Sequence, residues 1–354
     1  MKAIITVLCF LVLCLQLKAE ESIKKYEKTF SKEGIEELVL SNSYGKIEIS
    51  QGEGTEISVS VEMKVTAKSA VKADETLEFI QINEAQNGHY LNLETSIGKD
   101  MTISQLLSGM TLSVDYKVSI PKGIKLRLIN NNGNIYLGNY AGELNVDMRN
   151  GDFKAATLED GEFYIKQDKG NFAVEKVNTM DGDFKNCTIQ IQSGEEIKIV
   201  ANSCKGQFES IDKLNIRTSG GLMQLGEIED LTGSSSMTKY EVKDIGNILD
   251  MDMKMGEMNV RNIQLMFSEI RLKSSFTKVG LTFMADAGYH LELKHNKSLK
   301  IDLPDKMQLD EQPTISKNVI VGKKFIGNVK YLGKVFLDMS SGSLFIQSNK
   351  SAGE

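Results

Sequence analysis

The chain has 354 residues but no tryptophan, only three prolines and only three histidines, His89, His290 and His295. His290 and His295 are five residues apart, an odd separation that would place them on opposite faces of a strand and away from a shared metal. The sequence also lacks a Gly-x-Ser-x-Gly elbow, a His-Glu-x-x-His pair, a phosphate-binding loop and a dinucleotide fingerprint. We therefore expect no enzyme activity, no cofactor and no metal site.

The N-terminus carries a short apolar run over residues 3–15, which Lys2 precedes and Ala19 follows. A charged start, an apolar middle and a small residue at the end are typical of a secretory signal peptide. The run is shorter than the roughly 20 apolar residues that a membrane-spanning helix needs. The sequence therefore predicts a signal peptide over residues 1–19. The mature chain would have no transmembrane span and would be exported to the periplasm, the outer-membrane surface or the medium.

Basic residues are in the minority. Removal of residues 1–19 leaves 40 basic and 48 acidic residues, a net charge of −8. Nucleic-acid binding needs clustered Lys and Arg side chains that neutralise phosphates, so this balance argues against a nucleic-acid partner. The same balance disfavours adsorption to anionic membranes.

Cysteine is scarce in the mature chain, where only Cys187 and Cys204 remain, seventeen residues apart. In an oxidising exported compartment such a pair allows a disulfide between neighbouring layers of the fold. The alternative is a pair of small, buried thiols that fill the core. Neither interpretation gives these residues a catalytic role.

Glycine, in contrast, is frequent, and it recurs in a pattern. Between residues 133 and 184 a three-residue phrase, glycine then a polar residue then an apolar one, occurs six times at a stride of nine to twelve residues. Glycine tolerates the positive φ of a tight corner, and the alternation that follows is typical of a half-buried strand. The copies begin at Gly133, Gly142, Gly151, Gly161, Gly170 and Gly182.

Units this short cannot bury an apolar face alone, so they must stack on their neighbours. Two consecutive units span roughly 18–20 residues, which predicts an all-β fold, a β-solenoid with two facing strands per rung. We expect this solenoid over residues 129–354, with closing strands at its C-terminal end. Residues 20–128 predict a sheet-rich N-terminal region with longer strands. One short surface helix is expected within it at 67–80, where the apolar residues take helical spacing.

Acidic residues beside the repeat glycines allow two interpretations. As a carboxylate cluster they would bind calcium or provide the acid and base of a polysaccharide-cleaving coil. As turn residues they would bond their own backbone and keep the corners soluble. No calcium-loop spacing is present, so turn chemistry is favoured. These residues are Asp152, Glu159, Asp160, Glu162, Asp168, Asp181 and Asp183.

Methionines alternate with polar residues at Met251, Met253 and Met255, and Met258 follows. Thioether ligands could form a soft-metal site. Alternate spacing is, however, what a core-facing strand requires, and methionine fills irregular gaps well. The sequence therefore favours a core role for all four side chains.

Two strings carry a family resemblance: residues 112–123 read Leu-Ser-Val-Asp-Tyr-Lys-Val-Ser-Ile-Pro-Lys-Gly, and residues 131–137 read Asn-Asn-Gly-Asn-Ile-Tyr-Leu. With Asn-Ser-Tyr-Gly-Lys-Ile at 42–47 and the helix-then-strand passage at 67–95, they resemble the bacterial putative-adhesin family. That family comprises exported β-solenoid proteins of unknown function, frequent in Gram-negative bacteria. The resemblance covers most of the mature chain and implies an exported or envelope-exposed protein without catalytic residues.

The leading functional hypothesis is a non-catalytic exported protein, an adhesin or binding scaffold, whose partner is a glycan or a protein of the envelope or host surface. Two alternatives stay open. One is a carbohydrate-active enzyme, a polysaccharide lyase or hydrolase on a β-helix, which requires charged side chains that converge on one groove. The other is a structural or stress-linked periplasmic protein.

Overall fold

A computed structural model describes residues 19–98, 109–304, 307, 309–313 and 319–349. Strands make up 78% of these residues and one helix occurs among them, so the predicted all-β class is confirmed. The predicted signal peptide lies outside the described residues except for Ala19. None of the described segments forms a helix with both the length and the apolar character needed to cross a bilayer.

The chain divides into two compact units. The first ends at Ile124 and also takes Ile129–Asn134. The second comprises Lys125–Leu128 and the chain from Ile135 onward. The two units are described separately below.

Antiparallel and parallel strand pairs build the first unit, together with one helix. Its elements are β1 (Glu20–Ser31), β2 (Glu37–Ser43), β3 (Ile47–Gly52), β4 (Glu56–Ala67), α1 (Ala70–Glu78), β5 (Ile80–Asn87), β6 (Tyr90–Ile97) and β7 (Thr111–Pro121). β4 pairs antiparallel with both β1 and β7, and its strict alternation buries every second side chain. β3 pairs with β7 and β2 with β6 in parallel, whereas β5 and β6 are antiparallel.

The helix α1 forms where the apolar residues take helical spacing. Ser69 caps its N-terminus, because the Ser69 hydroxyl accepts a hydrogen bond from the Lys72 backbone N–H at 3.4 Å. Ala73, Thr76 and Leu77 form its buried face. The helix predicted at 67–80 is thus present over Ala70–Glu78.

Most strands of the second unit pair in parallel, one repeat apart. They are β9 (Ile135–Ala141), β10 (Leu144–Arg149), β11 (Phe153–Glu159), β12 (Phe163–Ile263), β13 (Glu269–Phe283), β14 (Tyr289–Asn296), β15 (Leu299–Asp302), β16 (Asp310–Pro313), β17 (Val319–Ile326), β18 (Gly333–Met339) and β19 (Gly342–Ser348), while β8 (Lys125–Asn131) is divided between the units. Leu144 pairs with Phe163, nineteen residues on, and Ile248 pairs with Glu269, twenty-one residues on. Each repeat therefore supplies hydrogen-bond partners to the next.

The C-terminal strands of the second unit have neighbours on both sides. β18 and β19 pair in parallel with β13. On their other side β18 pairs in parallel with β14, and β19 with β15. β17 lies antiparallel between β14 and β16. The last strands of the chain are therefore central strands of this ladder.

One corner position of the second unit takes a left-handed backbone conformation in repeat after repeat. β12 is a continuous strand run of 101 residues that passes through several of these corners. Corner residues follow one another at intervals of seventeen to twenty-one residues, close to the offsets of the strand pairs, and their φ angles lie between +49° and +72°. We call this set the left-handed row: Asn150, Lys169, Asn186, Ser203, Gly220, Met237, Met255 and Phe276.

Large aromatic side chains fill part of the core of the second unit. The rings of Phe153 and Phe172 stack with centroids 5.1 Å apart, and the Phe184 ring lies 4.9 Å from that of Phe172. All three side chains are fully buried. The stack joins three successive layers through apolar contact, the main source of stability in such an array.

The methionine ladder is buried only in part. Met251, Met253 and Met258 are buried, as the alternation predicts. The predicted core role is wrong for Met255, which is 51% exposed. Met255 belongs to the left-handed row, and the corner rotates its side chain out of the alternating pattern.

Candidate functional site

The three histidines lie apart from one another. His89 is exposed, with Nδ1 3.4 Å from Glu36 Oε1. His290 is exposed beside the Phe325 ring, whereas His295 is buried with Nε2 3.7 Å from Glu311 Oε1. Across the ranges that the structure describes, no three His, Cys, Asp or Glu side chains are grouped so that they could hold a metal ion.

Both cysteines are free, buried thiols on neighbouring layers. The Cys187 backbone N–H donates to Cys204 Sγ at 3.3 Å, and the Cys187 thiol donates to the Lys185 carbonyl at 3.1 Å. The hydrogen bond with Cys204 and burial both raise the pKa of the Cys187 thiol, which keeps it protonated and poorly nucleophilic. The disulfide considered from the sequence stays a prediction.

Several acidic residues beside the repeat glycines serve the turns and the strand ladder. Asp152 Oδ1 accepts hydrogen bonds from the backbone N–H and the side-chain amide of Asn171, both at 2.9 Å. Glu159 pairs with Lys176 of the next repeat at 2.7 Å. Asp160 takes a left-handed φ of 53°. Asp181 and Asp183 differ from these, because they line a groove.

This groove crosses successive parallel strands of the second unit and has a volume of about 430 Å³. Because side chains alternate along a strand, in-register residues of successive repeats form columns on the outer face. One column contains Asn145, Tyr164, Asp181, Lys198 and Asn215, and the other contains Lys166, Asp183, Val200 and Arg217. We call the space between the two columns the tyrosine groove.

The repeat phrase Gly182-Asp183-Phe184 shows how the sequence builds the groove. Gly182 points inward, and a Cβ there would lie 2.3 Å from the Phe184 ring, so the core needs glycine at this position. Phe184 is buried in the aromatic stack, which leaves Asp183 between them on the outer face. The same three residues therefore pack the core and present a carboxylate.

Tyr164 is the aromatic side chain of the groove and is 47% exposed. Its hydroxyl donates to Glu162 Oε2 at 2.7 Å, which fixes the direction of the ring. That hydrogen bond and the charge of Glu162 raise the pKa of Tyr164, so the phenol stays neutral. The groove thus offers a flat, oriented aromatic face to solvent.

Three charged side chains of the groove have no partner. Asp181, Asp183 and Arg217 are exposed and make no ion pair or side-chain hydrogen bond with any other described residue. In contrast, Lys166 pairs with Asp147 and Lys198 with Glu196, each at 3.4 Å. The two carboxylates can accept hydrogen bonds and the guanidinium can donate several, all of them charge-assisted.

A second groove, of about 670 Å³, lies on the strands half a repeat away and is lined by a ladder of amides. Gln190 Nε2 donates to Gln207 Oε1 at 2.8 Å, and Gln207 Nε2 donates to Gln224 Oε1 at 3.3 Å. Gln224 Nε2 continues the ladder to Glu241 Oε2 at 3.5 Å. Because the amides satisfy one another, this ladder stabilises the stacking of the strands and leaves fewer free groups than the tyrosine groove.

The sequence does not mark the groove residues as a set, although Asp181 and Asp183 are among the acidic candidates beside the repeat glycines. Outward positions of a repeat carry no motif, because only the inward positions must be apolar. The usable signal is the stride of seventeen residues that joins Tyr164, Asp181 and Lys198. Alignment of the repeats at that stride would have brought these side chains into one column.

No family model matches the chain, and no curated protein matches it. Three solved structures to which it is similar are a putative cell adhesion protein from Clostridium sporogenes, a putative adhesin from Parabacteroides merdae and a putative lipid binding protein from Parabacteroides distasonis. The first has 10% identity and a TM-score of 0.19, and the match covers 93% of this chain and 100% of that one. The second has 11% identity and a TM-score of 0.36, with 74% and 96% covered. The third has 11% identity and a TM-score of 0.31, with 94% and 98% covered.

The solved structures to which the chain is similar include putative adhesins, the family that the motifs at residues 112–137 resemble. At these identities and TM-scores the likeness carries no argument about function. The function is therefore inferred from the grooves of this chain.

Proposed function

We propose that this protein is an exported, non-catalytic binding protein that recognises carbohydrate through the tyrosine groove. The observation that carries the proposal is an exposed, oriented aromatic ring, Tyr164, beside the unpaired side chains of Asp181, Asp183 and Arg217. A sugar presents an apolar C–H face and pairs of neighbouring hydroxyl groups. The groove offers a partner for each of these features.

The aromatic ring supplies the stacking surface. Because the hydrogen bond to Glu162 already orients Tyr164, little side-chain freedom is lost when a ligand stacks on the ring. Tyrosine is well suited to this role, since it offers a large contact area with only two side-chain torsions.

The charged side chains orient a bound sugar through directional hydrogen bonds. A carboxylate accepts hydrogen bonds from two neighbouring hydroxyls, and a guanidinium donates several in a fixed plane. Successive strands lie about 4.8 Å apart, a spacing comparable with the width of a sugar ring. A chain of sugar units that crosses the strands would therefore meet one side chain of a column after another.

We also propose that the parallel ladder winds as a β-solenoid and that residues 1–19 direct export. Strand offsets of eighteen to twenty-one residues support the winding. The charged, apolar and small residues of the N-terminus support export. A stack of this kind presents rigid, repeated outer faces, which suits an envelope or surface protein whose role is binding.

A glycan array probed with residues 20–354 tests the proposal. The wild-type chain should bind a defined subset of glycans, and Tyr164→Ala should weaken that binding by about tenfold because the stacking surface is lost. Tyr90→Ala is the matched control, since Tyr90 is 52% exposed but lies on β6 of the first unit. Absence of specific binding, or an equal loss in both variants, would rule out the tyrosine groove as a glycan site.

Asp181 and Asp183 favour a second candidate function, glycoside hydrolysis. Residues two apart on one face of a strand lie roughly 6.6 Å apart along it. That spacing is close to the roughly 6.5–9.5 Å between the two carboxyl groups of inverting glycosidases. Incubation of an array-selected glycan with the protein should leave it intact if the groove only binds. Release of new reducing ends that either Asp181→Asn or Asp183→Asn abolishes would make the protein an enzyme.

A further inference from the structure

Three successive members of the left-handed row are large apolar side chains exposed to water. Met237 is 60% exposed, Met255 51% and Phe276 70%. They are neighbours in the ladder: a Cβ on Gly256 would lie 2.4 Å from the Thr238 carbonyl oxygen, and Lys254 pairs with Ser275. We call this set the apolar corner.

Nothing in the backbone accounts for these residue types. The φ angles of the three residues are 53°, 49° and 53°, values that glycine and asparagine tolerate and that bulky side chains rarely adopt. Earlier repeats have Asn150, Asn186 and other residues at the corner. Methionine and phenylalanine at these positions therefore strain the backbone and expose apolar surface to water. Proteins retain such unfavourable residues mainly at functional sites.

Three lysines and one acidic residue, Glu257, lie within two positions of the apolar corner, and Glu257 lies beside Lys278 in the strand register. Lys254 precedes Met255, and Lys239 and Lys278 follow Met237 and Phe276 by two residues. Lys254 and Lys278 form no ion pair with another residue in the described ranges. Basic residues also lie within two positions of the earlier left-handed residues, at Arg149, Lys169, Lys185 and Lys205.

Acidic residues collect half a repeat away. The side-chain amide of Asn178 donates to Glu195 at 2.9 Å, and a Cβ on Gly246 would lie 1.9 Å from Glu229 Oε2, so these positions follow one another from layer to layer. We call this set the acidic row: Glu143, Asp160, Glu162, Glu195, Glu196, Asp212, Glu229 and Asp230. The net charge of −8 over residues 20–354 is thus unevenly distributed: within two positions of the left-handed row, basic residues outnumber acidic ones by seven to three.

We propose that the apolar corner and its lysines form a docking surface for an anionic lipid bilayer. The apolar side chains would enter the boundary between headgroups and acyl chains, and the lysines would stay at the anionic headgroups. An acidic polysaccharide could also attract the lysines, but it offers no apolar phase for two methionines and a phenylalanine. The acidic row would face away from the membrane, which avoids repulsion.

Vesicle flotation with residues 20–354 tests this surface. Vesicles of phosphatidylcholine with phosphatidylglycerol should carry the protein to the top of the gradient, and phosphatidylcholine alone should carry much less. Replacement of Met237, Met255 and Phe276 by asparagine should reduce binding at least tenfold. Asparagine favours the left-handed conformation, so this variant should fold at least as well as the wild type. Lys254→Glu and Lys278→Glu should each reduce binding by roughly fivefold or more.

Met266→Asn is the matched control, since Met266 is 75% exposed in the same unit but lies outside the left-handed row. This variant should float as the wild type does. The proposal is overturned if the wild type does not float, or if the triple asparagine variant floats equally well. Binding to heparin beads that only the lysine variants weaken, without flotation, would assign the surface to a polyanion. Vesicles of these two lipids contain no glycan, so the outcome does not depend on the tyrosine groove.

Discussion

A single glycine, Gly221, shows how closely neighbouring layers of the second unit approach each other. Its φ is +110°, and a Cβ there would lie 2.0 Å from the Cys204 carbonyl oxygen. No side chain fits that space without a movement of the backbone of the adjacent repeat. The residue that follows each left-handed corner is therefore restricted to very small side chains wherever the layers are this close.

Gly221→Ala should lower the free energy of unfolding by about 2 kcal/mol or more, because it adds both strain at positive φ and a clash with backbone. Gly138→Ala is its control, since a Cβ at Gly138 meets nothing within 4 Å and its φ is not positive. The control should change stability by less than about 1 kcal/mol. Urea unfolding followed by circular dichroism measures both, and equal midpoints for the two variants would contradict the close approach.

At the residue scale, the sequence shows a corner where glycine marks it and hides a corner that another residue type occupies. The phrases beginning at Gly151 and Gly170 mark corners because glycine precedes an alternating run. Met255 escapes this reasoning, since it continues the alternation of Met251 and Met253 and only the left-handed backbone turns it outward. Amino-acid preferences for the left-handed conformation therefore cannot locate a corner that is occupied by methionine.

Helices and strands with a strong hydrophobic periodicity were predictable from sequence, whereas the pairing of the strands was not. Helical spacing locates α1, and strict alternation locates β4. Alternation does not say, however, whether a strand pairs in parallel or antiparallel. The first unit mixes both arrangements, and the pairing of β18 and β19 between β13 and β14–β15 depends on contacts distant in sequence.

The aromatic stack gives a prediction at this scale. Phe172→Ala should lower the free energy of unfolding by about 3–5 kcal/mol, because it leaves a cavity between the rings of Phe153 and Phe184. Phe345→Ala should cost well under half as much, since Phe345 on β19 is 41% exposed. Chemical unfolding of both variants checks the difference. Similar losses at the two positions would show that the stack is not a major source of stability.

At the scale of the whole molecule, buried phenols predict an alkaline limit to stability. Tyr116, Tyr240 and Tyr289 are almost completely buried. Burial raises the pKa of Tyr116 to about 12 and raises the pKa of the other two as well. The folded state therefore favours the neutral phenol, while an unfolded tyrosine ionises near pH ~10. This stabilisation is complete below pH ~10 and is lost as the pH rises towards about 12.

We expect the protein to lose its strand signal in that alkaline range, together with a cooperative rise in phenolate absorbance. Parallel titrations by circular dichroism and ultraviolet absorbance measure the two changes. Ionisation of every tyrosine near pH ~10 with the strand signal intact would contradict the burial of the three phenols.

Composition describes the charge of the molecule only as an average. A net charge of −8 over residues 20–354 disfavours anionic membranes when it is treated as uniform. Basic residues beside the left-handed row are fifteen or more residues apart in sequence, so no local window shows that the fold brings them to one side. The tyrosine groove is hidden in the same way, because its columns exist only when the repeats are in register.

The constant spacing of seventeen residues between the left-handed residues from Lys169 to Met237 has a consequence for how such a chain can change length. Duplication of a whole seventeen-residue segment within β12 would add a layer, and all the remaining side chains would keep their inward or outward direction. Loss of a single amino acid between two corners would instead turn one layer inside out. We therefore expect the chain to tolerate insertions and deletions of whole layers. Each added layer would extend the outer columns by one position.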